Sequence, residues 1–507
     1  MKTKDSRKLR NLMLLISLCS ILSCVPGSSG GSSSNNKTPV VDPNSRFTTT
    51  PDITKLKERT YKFLKYTQGK TNTSNNENEI TINAMEYAFK FELNNPISSL
   101  APRTIKKDGA AFWLKENPYK YYIEIFNNYF PDTPILNMEA GSNLFVFDNA
   151  GIHLSDLPDF LSKIDALNLR INGTEYNKVK FINPELTIDE DINLDDNNNK
   201  YYKTISDIKP VQVTLFLYKS IIGTKDGQVA IQSYSTATNE GKIKLTGKNT
   251  VAIFSNDSTQ NDDKALIEVG EDSIAQYTIH NDDNYFHNQN RGTIKLGKKS
   301  TGIRIDRNFK NIGTNALNEI TGKILSSAEK ATGIMVYTVD AVYPINEPEK
   351  FAIGNSGLID LSGDKSTGMY TTGKTIMSMI NDGQIKMGDS SDRNNPSMGM
   401  YSDNSLNKGI NYTEGIIEIG KNSIGMAGVN GGTLINEGTI TIKGHGGIGM
   451  YLADGTIGIN KGTIKTDRTW LKDVIGVIVG KDSKFTNEST GVININSENG
   501  TGILIAN

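Results

Sequence analysis

From about Asn239 onward the chain is written in short alternating runs. Thr439-Ile440-Thr441-Ile442 and Thr293-Ile294-Lys295-Leu296 place aliphatic residues at every second position, which gives a strand one apolar and one polar face. The runs recur with fixed punctuation: Asn-x-Gly before each, a glycine turn after it, then a Gly-Ile or Gly-Met step into a further strand. One copy is Asn436-Glu437-Gly438-Thr439-Ile440-Thr441-Ile442-Lys443-Gly444, closing on Gly449-Met450-Tyr451. Another begins Asn355-Ser356-Gly357-Leu358-Ile359 and closes on Gly368-Met369-Tyr370. The first glycine of the phrase stands at Gly241, Gly292, Gly322, Gly357, Gly383, Gly415, Gly438, Gly462 and Gly491. A degenerate copy, Ala265-Leu266-Ile267-Glu268-Val269-Gly270, fills the one wide gap. The spacing, roughly 25 residues with insertions, is that of stacked coils.

A single copy cannot bury its aliphatic face, whereas copies stacked with Ile on Ile can. Each buried Ile or Leu contributes about 1.5–3 kcal/mol, so a pile of such coils builds a long core. A full circuit of chain separates the copies, in place of two-residue hairpin turns, so the strands are expected to run parallel and in register. The expected fold class is all-β, a right-handed parallel β-helix over 235–507. Its glycines are expected to supply positive-φ corners, with Asn tolerating the same region.

The earlier part of the chain is less periodic. Thr50, Pro51, Ile53, Leu56, Phe63 and Leu64 predict a helix from about 46 to 66, rich in Lys on its solvated face. Leu157 to Leu167 reads as a short helix, and Asn143 to Asp148 and Val211 to Leu217 as strands. Aromatics gather at Phe112-Trp113 and between Tyr119 and Phe130, as a core of this region or, more sharply, an aromatic-lined glycan site. Residues 46–234 are therefore expected to form the N-terminal helix and a mixed α/β cap with irregular coils, covering the end of the solenoid.

The N-terminus changes the picture from fold to location. Lys2, Lys4, Arg7, Lys8 and Arg10 precede an apolar run from Leu12 to Leu22, which reads as a signal peptide over 1–23. Ile21-Leu22-Ser23-Cys24 resembles the lipobox of bacterial lipoproteins, which implies lipidation of Cys24 and export to the outer membrane or cell surface. The alternative is an ordinary signal peptide. Residues 24–45 are rich in Gly, Ser, Asn and Pro, the composition of a flexible, disordered tether. Both cysteines, Cys19 and Cys24, fall in the leader, so the remainder has no disulfide or thiol chemistry. A formal net charge of −1 argues against nucleic acid as a partner.

Candidate chemistry is thin. Gly292 to Lys298 and Gly415 to Lys421 begin like phosphate-binding loops, but Lys299 and Asn422 replace the required Ser or Thr and the intervening residues are strand. Gly354-Asn355-Ser356-Gly357 has the look of a protease nucleophile turn, yet His153, His280, His287 and His445 are scattered. Asp189 to Asp196 is acidic but lacks the glycine and closing Glu of a calcium loop, so it reads as a solvated loop. No catalytic residue, metal or cofactor is assigned.

Asn-x-Gly-x-Ile combined with Gly368-Met369-Tyr370, Gly399-Met400-Tyr401 and Gly449-Met450-Tyr451 resembles the passenger regions of autotransporter adhesins of fusobacteria and their relatives. That resemblance implies a surface-displayed β-helix acting in adhesion and virulence, with host or bacterial receptors or glycans as partners. The chain departs from the family in having a lipobox and no membrane barrel. It stops in mid-coil at Gly502-Ile503-Leu504-Ile505-Ala506-Asn507, as expected of a truncated or split autotransporter or of a lipid-anchored relative. An adhesin would bind through a variable, Asn- and Tyr-bearing surface. The competing expectation is a lipid-anchored solenoid that binds or degrades polysaccharide, as pectate lyases do. Its outward stripe, Lys242/Lys244, Thr293/Lys295, Gln384/Lys386, Thr439/Thr441 and Thr463/Lys465, shows no recurring carboxylates, so no enzyme is expected.

Overall fold

A computed structural model describes residues 80–82, 87–90, 102–115, 135–167, 169–196, 201, 208, 210–280, 286–307, 314–338, 352–372 and 378–506. The leader, the tether, Cys24, the 46–66 helix and the aromatics from Tyr119 to Phe130 lie outside these residues. The chain forms two compact units, one of Ile222–Ala230 with Lys242–Asn507 and one of Ile53–Ile221 with Ile231–Gly241.

The unit containing Lys242–Asn507 is a parallel β-helix of three sheets. The alternating runs form the first sheet, from Lys242–Leu245 through Leu266–Val269, Thr293–Leu296 and onward to Val492–Asn494. Each strand pairs parallel and in register with the next coil, as in Ile243↔Ile267, Ile267↔Ile294 and Ile417↔Ile440. The degenerate copy at 265–270 takes its place as the strand Leu266–Val269. Coil length varies: the register Ile416↔Thr439 sets a coil of 23 residues and Lys323↔Leu358 one of 35. Alternation delivers its promise, because Ile243, Ile267, Ile294, Ile324, Ile359, Ile385, Ile417, Ile440 and Ile464 are all fully buried in one column.

The Gly-Ile and Gly-Met steps belong to the second sheet, where Thr367–Thr372 pairs with Met398–Asn411 and Ile448–Leu452 with Ile475–Val479. The glycine here faces the isoleucine column: a Cβ on Gly368 would lie 2.9 Å from Ile385 Cγ2, and one on Gly333 3.0 Å from Ile359 Cγ2. The third sheet ends every strand on Asn, as in Phe286–Asn290 and Ser378–Asn381.

These corner residues work differently from the expectation. None of the nine repeat glycines has positive φ. Instead, a Cβ at any of them would sit 2.1–2.4 Å from a backbone oxygen of the preceding coil, for example 2.1 Å from Gly438 O at Gly462. Coils approach too closely at that corner for any side chain, and that excludes every other residue. Positive φ belongs to the opposite turn, at Asn249, Asp272, Lys299, Lys330, Lys365 and Asn422. The corner Asn residues from Asn261 to Asn460 are buried, and they and the exposed Asn487 are hydrogen-bonded to one another. Asn261 Nδ2 donates to Asn290 Oδ1 (2.7 Å), and the chain continues through Asn318, Asn355, Asn381, Asn411, Asn436, Asn460 and Asn487 at 2.7–2.9 Å.

The other unit is also built of parallel, in-register strands, with one helix among its described residues. Tyr87–Lys90, Ala110–Lys115, Asn143–Asp148 and Asn177–Ile182 form one sheet, and Ile80–Ile82, Arg103–Ile105, Leu136–Met138 and Ile171–Asn172 another. Coil stacking is therefore not confined to 235–507. Its column is aromatic in place of aliphatic, with Phe112 stacked on Phe145 at 5.0 Å, which hides the period in the sequence. The expected helix is Leu157–Asp165, with Phe160 edge-on to Phe147 at 5.1 Å.

Candidate functional site

The outward face of the first sheet in the β-helix carries charge in columns. Register places Lys244 beside Glu268, Glu268 beside Lys295, Asp360 beside Lys386 and Lys386 beside Glu418. Carboxylates do recur, so the expected lysine-threonine stripe is corrected: Glu268, Asp360 and Glu418 alternate with the lysines. Strands about 4.8 Å apart tolerate stacked charge best when neighbours have opposite sign. Lys244 Nζ lies 3.1 Å from Glu268 Oε1, and Lys443 Nζ 2.8 Å from Glu418 Oε1. A second set runs along the positive-φ turn, with Lys248 pairing Glu271 at 2.8 Å, Lys298 pairing Glu329, and Lys472 pairing Glu498 at 2.9 Å. The hydrogen bond from Lys248 holds the Glu271 carboxyl below its ordinary range, and Lys298 does the same for Glu329. These acids are committed to lysines.

One shallow groove interrupts this pattern. It encloses about 280 Å³ along the column Lys323, Leu358, Gln384 and Ile416, which are register partners on four successive coils. Gly322, Gly357 and Gly383 form its floor, and Ile320, Thr321, Ser356 and Glu414 flank it. Ile320 is 59% exposed and Ile416 39%. Burial, reinforced by the neighbouring Glu414, raises the Asp382 carboxyl above its ordinary range. Ser356, which resembled a protease nucleophile in sequence, lines this groove with no histidine among its neighbours there.

The remaining sequence candidates have structural work. Thr293–Leu296 and Ile416–Ile419, the centres of the two phosphate-loop look-alikes, are strands. In the acidic stretch, Asp189 accepts hydrogen bonds from Ser155 N (3.0 Å) and Ser155 Oγ (2.6 Å), with His153 Nδ1 at 3.2 Å. Asp191 accepts from Ser220 N (2.8 Å) and Oγ (2.7 Å), contacts that depress its carboxyl. Both fasten one coil to the next. The Ser155 hydroxyl is turned to Asp189 rather than to His153, so the trio forms no serine relay.

The tyrosines of the Gly-Met-Tyr steps are buried. Tyr370 and Tyr401 stack at 5.1 Å with rings 9° apart, and Tyr451 is buried beside them in the same cluster. The corner Asn residues from Asn261 to Asn460 are equally inaccessible. These Asn and Tyr residues belong to the core and not to the outer surface. Two clusters had no signal in the sequence. Arg304 Nε and Nη2 donate to Asp306 Oδ1 and Oδ2 at 2.8 and 2.9 Å, and Tyr277 Oη donates to Asp306 Oδ2 at 2.8 Å, all buried. Trp470 is exposed, with Arg468 5.4 Å from its ring centroid and the His445 ring at 5.4 Å.

Residues 219–445 match a family described as the BigA third pectate lyase-like domain. The likeness covers the middle of the β-helix and agrees with its parallel coils. No curated protein and no solved structure matches the chain.

Proposed function

We propose that the protein is a bacterial surface β-helix that acts in adhesion, to host cells, other bacteria or matrix, without catalysis. The observation that carries this reading is the outer face: its carboxylates are spread along the axis and paired with lysines, leaving a long, solvated, regular surface. The likeness to a BigA domain supports a place at the cell surface, and the lipobox-like Ser23-Cys24 supports an outer-membrane lipid anchor. Binding of the purified full chain to host cells, bacteria and matrix proteins tests it. Saturable binding to one of these is expected; uniform absence of binding refutes adhesion. Labelling with a palmitate analogue tests the anchor, and Cys24→Ser is expected to abolish it.

A second reading is favoured by Glu414 in the groove, with the Asp382 carboxyl raised by burial and by that neighbouring carboxylate, together with the pectate lyase-like match. A carboxyl whose ionisation is opposed by burial can serve as an acid in polysaccharide cleavage. Incubation with plant, host and bacterial polysaccharides, followed by assay of new reducing and unsaturated ends, decides it.

A further inference from the structure

We infer that the groove over Lys323, Leu358, Gln384 and Ile416 is the contact through which adhesion occurs, and that it takes a neutral sugar chain laid along the helix axis. The inference rests on the adhesion reading and specifies its ligand.

Three features converge there. The first is shape. Glycine is enforced at 322, 357 and 383 by coil packing, so the floor is bare backbone that a flat ligand can approach closely. Four coils span about 14 Å at ~4.8 Å per step, so the groove is elongated along the axis. The second is apolar exposure. Ile320, Leu358 and Ile416 present aliphatic surface on the outward face, where the two flanking coils carry Thr293 and Thr439. The third is unspent hydrogen bonding. Among the described residues, the side chains of Lys323, Ser356, Gln384 and Glu414 make no hydrogen bond or ion pair, although the counterparts of Ser356 and Glu414 on later coils do. At the equivalent corner Lys461 Nζ pairs with Glu437 at 3.3 Å, and Thr490 Oγ1 donates to Lys461 O at 2.9 Å.

A sugar ring needs both kinds of surface at once. Its C–H face packs on aliphatic side chains, while its hydroxyls both donate and accept. Gln384 and Ser356 can do either, Lys323 donates and Glu414 accepts. One cation and one anion in the groove offset each other, which favours a neutral chain over a sulfated or sialylated one. A volume of about 280 Å³ sits at the small end of ligand sites, suited to one or two rings rather than a folded partner.

The test is a glycan array of neutral, sialylated and sulfated oligosaccharides, probed with the full chain and with Gln384→Ala/Ile416→Asp and Lys323→Ala/Glu414→Gln. All four side chains lie outside the core and the asparagine chain, so both variants are expected to retain the far-UV CD and melting of the parent. The parent should bind neutral glycans, and each double variant should bind roughly tenfold or more weakly. Variants that bind like the parent overturn the groove and leave adhesion standing. Cell binding without any array binding, or with sulfated or sialylated glycans alone, overturns the ligand class. Loss of both cell and glycan binding by the parent removes the adhesion reading itself.

Discussion

Replacing Asn381 with alanine tests whether the buried asparagine chain holds the coils in register. Asn381 Oδ1 accepts from Asn355 Nδ2 at 2.8 Å, and its Nδ2 donates to Asn411 Oδ1 at 2.7 Å and Gly383 O at 3.3 Å. It is fully buried, so water cannot replace these partners. Truncation leaves an acceptor on Asn411 and weakens the satisfaction of Asn355 Nδ2, which keeps only a 3.3 Å bond to Gln384 O. Each orphaned buried group costs about 1–3 kcal/mol, so the expected loss is roughly 2–5 kcal/mol. Asn487 provides the internal control. It makes the same kind of bond, accepting from Asn460 Nδ2 at 2.7 Å, but it is exposed. Water can take its place, and Asn487→Ala should cost only about 0.5–1.5 kcal/mol. Urea unfolding followed by far-UV CD compares the two. Equal costs at both positions would refute the argument that burial makes the chain of amides stabilising. A solenoid unfolds in segments, so the change in the first transition is the quantity to compare.

Three further outcomes follow from the same geometry. Gly438→Ala should destabilise by about 3 kcal/mol or more, because its Cβ would meet Tyr412 O and Gly415 O at 2.2 Å, whereas Gly227→Ala, with open space but φ of +71°, should cost nearer 1–2 kcal/mol; thermal melts of the two decide between close approach and backbone conformation. Asp306→Ala strands the buried Arg304 guanidinium and should cost about 3–5 kcal/mol, while Arg304→Met/Asp306→Leu should restore most of it; a denaturant double-mutant cycle reads the coupling, and additive losses would count against the pair. For pH, burial opposes the charge on Asp364, yet hydrogen bonds from Ser391 and Ser390 leave its carboxyl below the usual range, and Ser220 lowers Asp191 likewise. Their contribution is complete above the unfolded carboxylate pKa of about 3.9 and fades as pH falls through the lower folded values. Asp382 and Asp403, raised by burial, act in the opposite sense and gain as pH falls through their raised values. Melting temperature against pH should show a shallow rise on mild acidification and then collapse in strong acid; Asp382→Asn should remove part of the rise.

Strand class, parallel stacking and the isoleucine column were legible in the amino-acid order, because alternation is a local property and Ile440 and Ile464 announce their side by their neighbours alone. The special status of Gly462 was also legible, but not its cause. A positive-φ corner and a corner with no room for a side chain leave the same mark in a sequence, and only the 2.1 Å approach to Gly438 O separates them. The columns of charge were invisible for a related reason. Glu268 joins Lys244 and Lys295 only once coils of 24 and 27 residues are laid in register, as Lys244↔Glu268 and Glu268↔Lys295 require. The groove depends on four residues spread from Lys323 to Ile416, and Tyr370 and Tyr401 are hidden by packing that no run of adjacent residues encodes. Which residues of the alternating strands face in was settled by chemistry along the chain. Which residues meet was settled by insertions of unequal length between coils, and those act only when the coils are stacked.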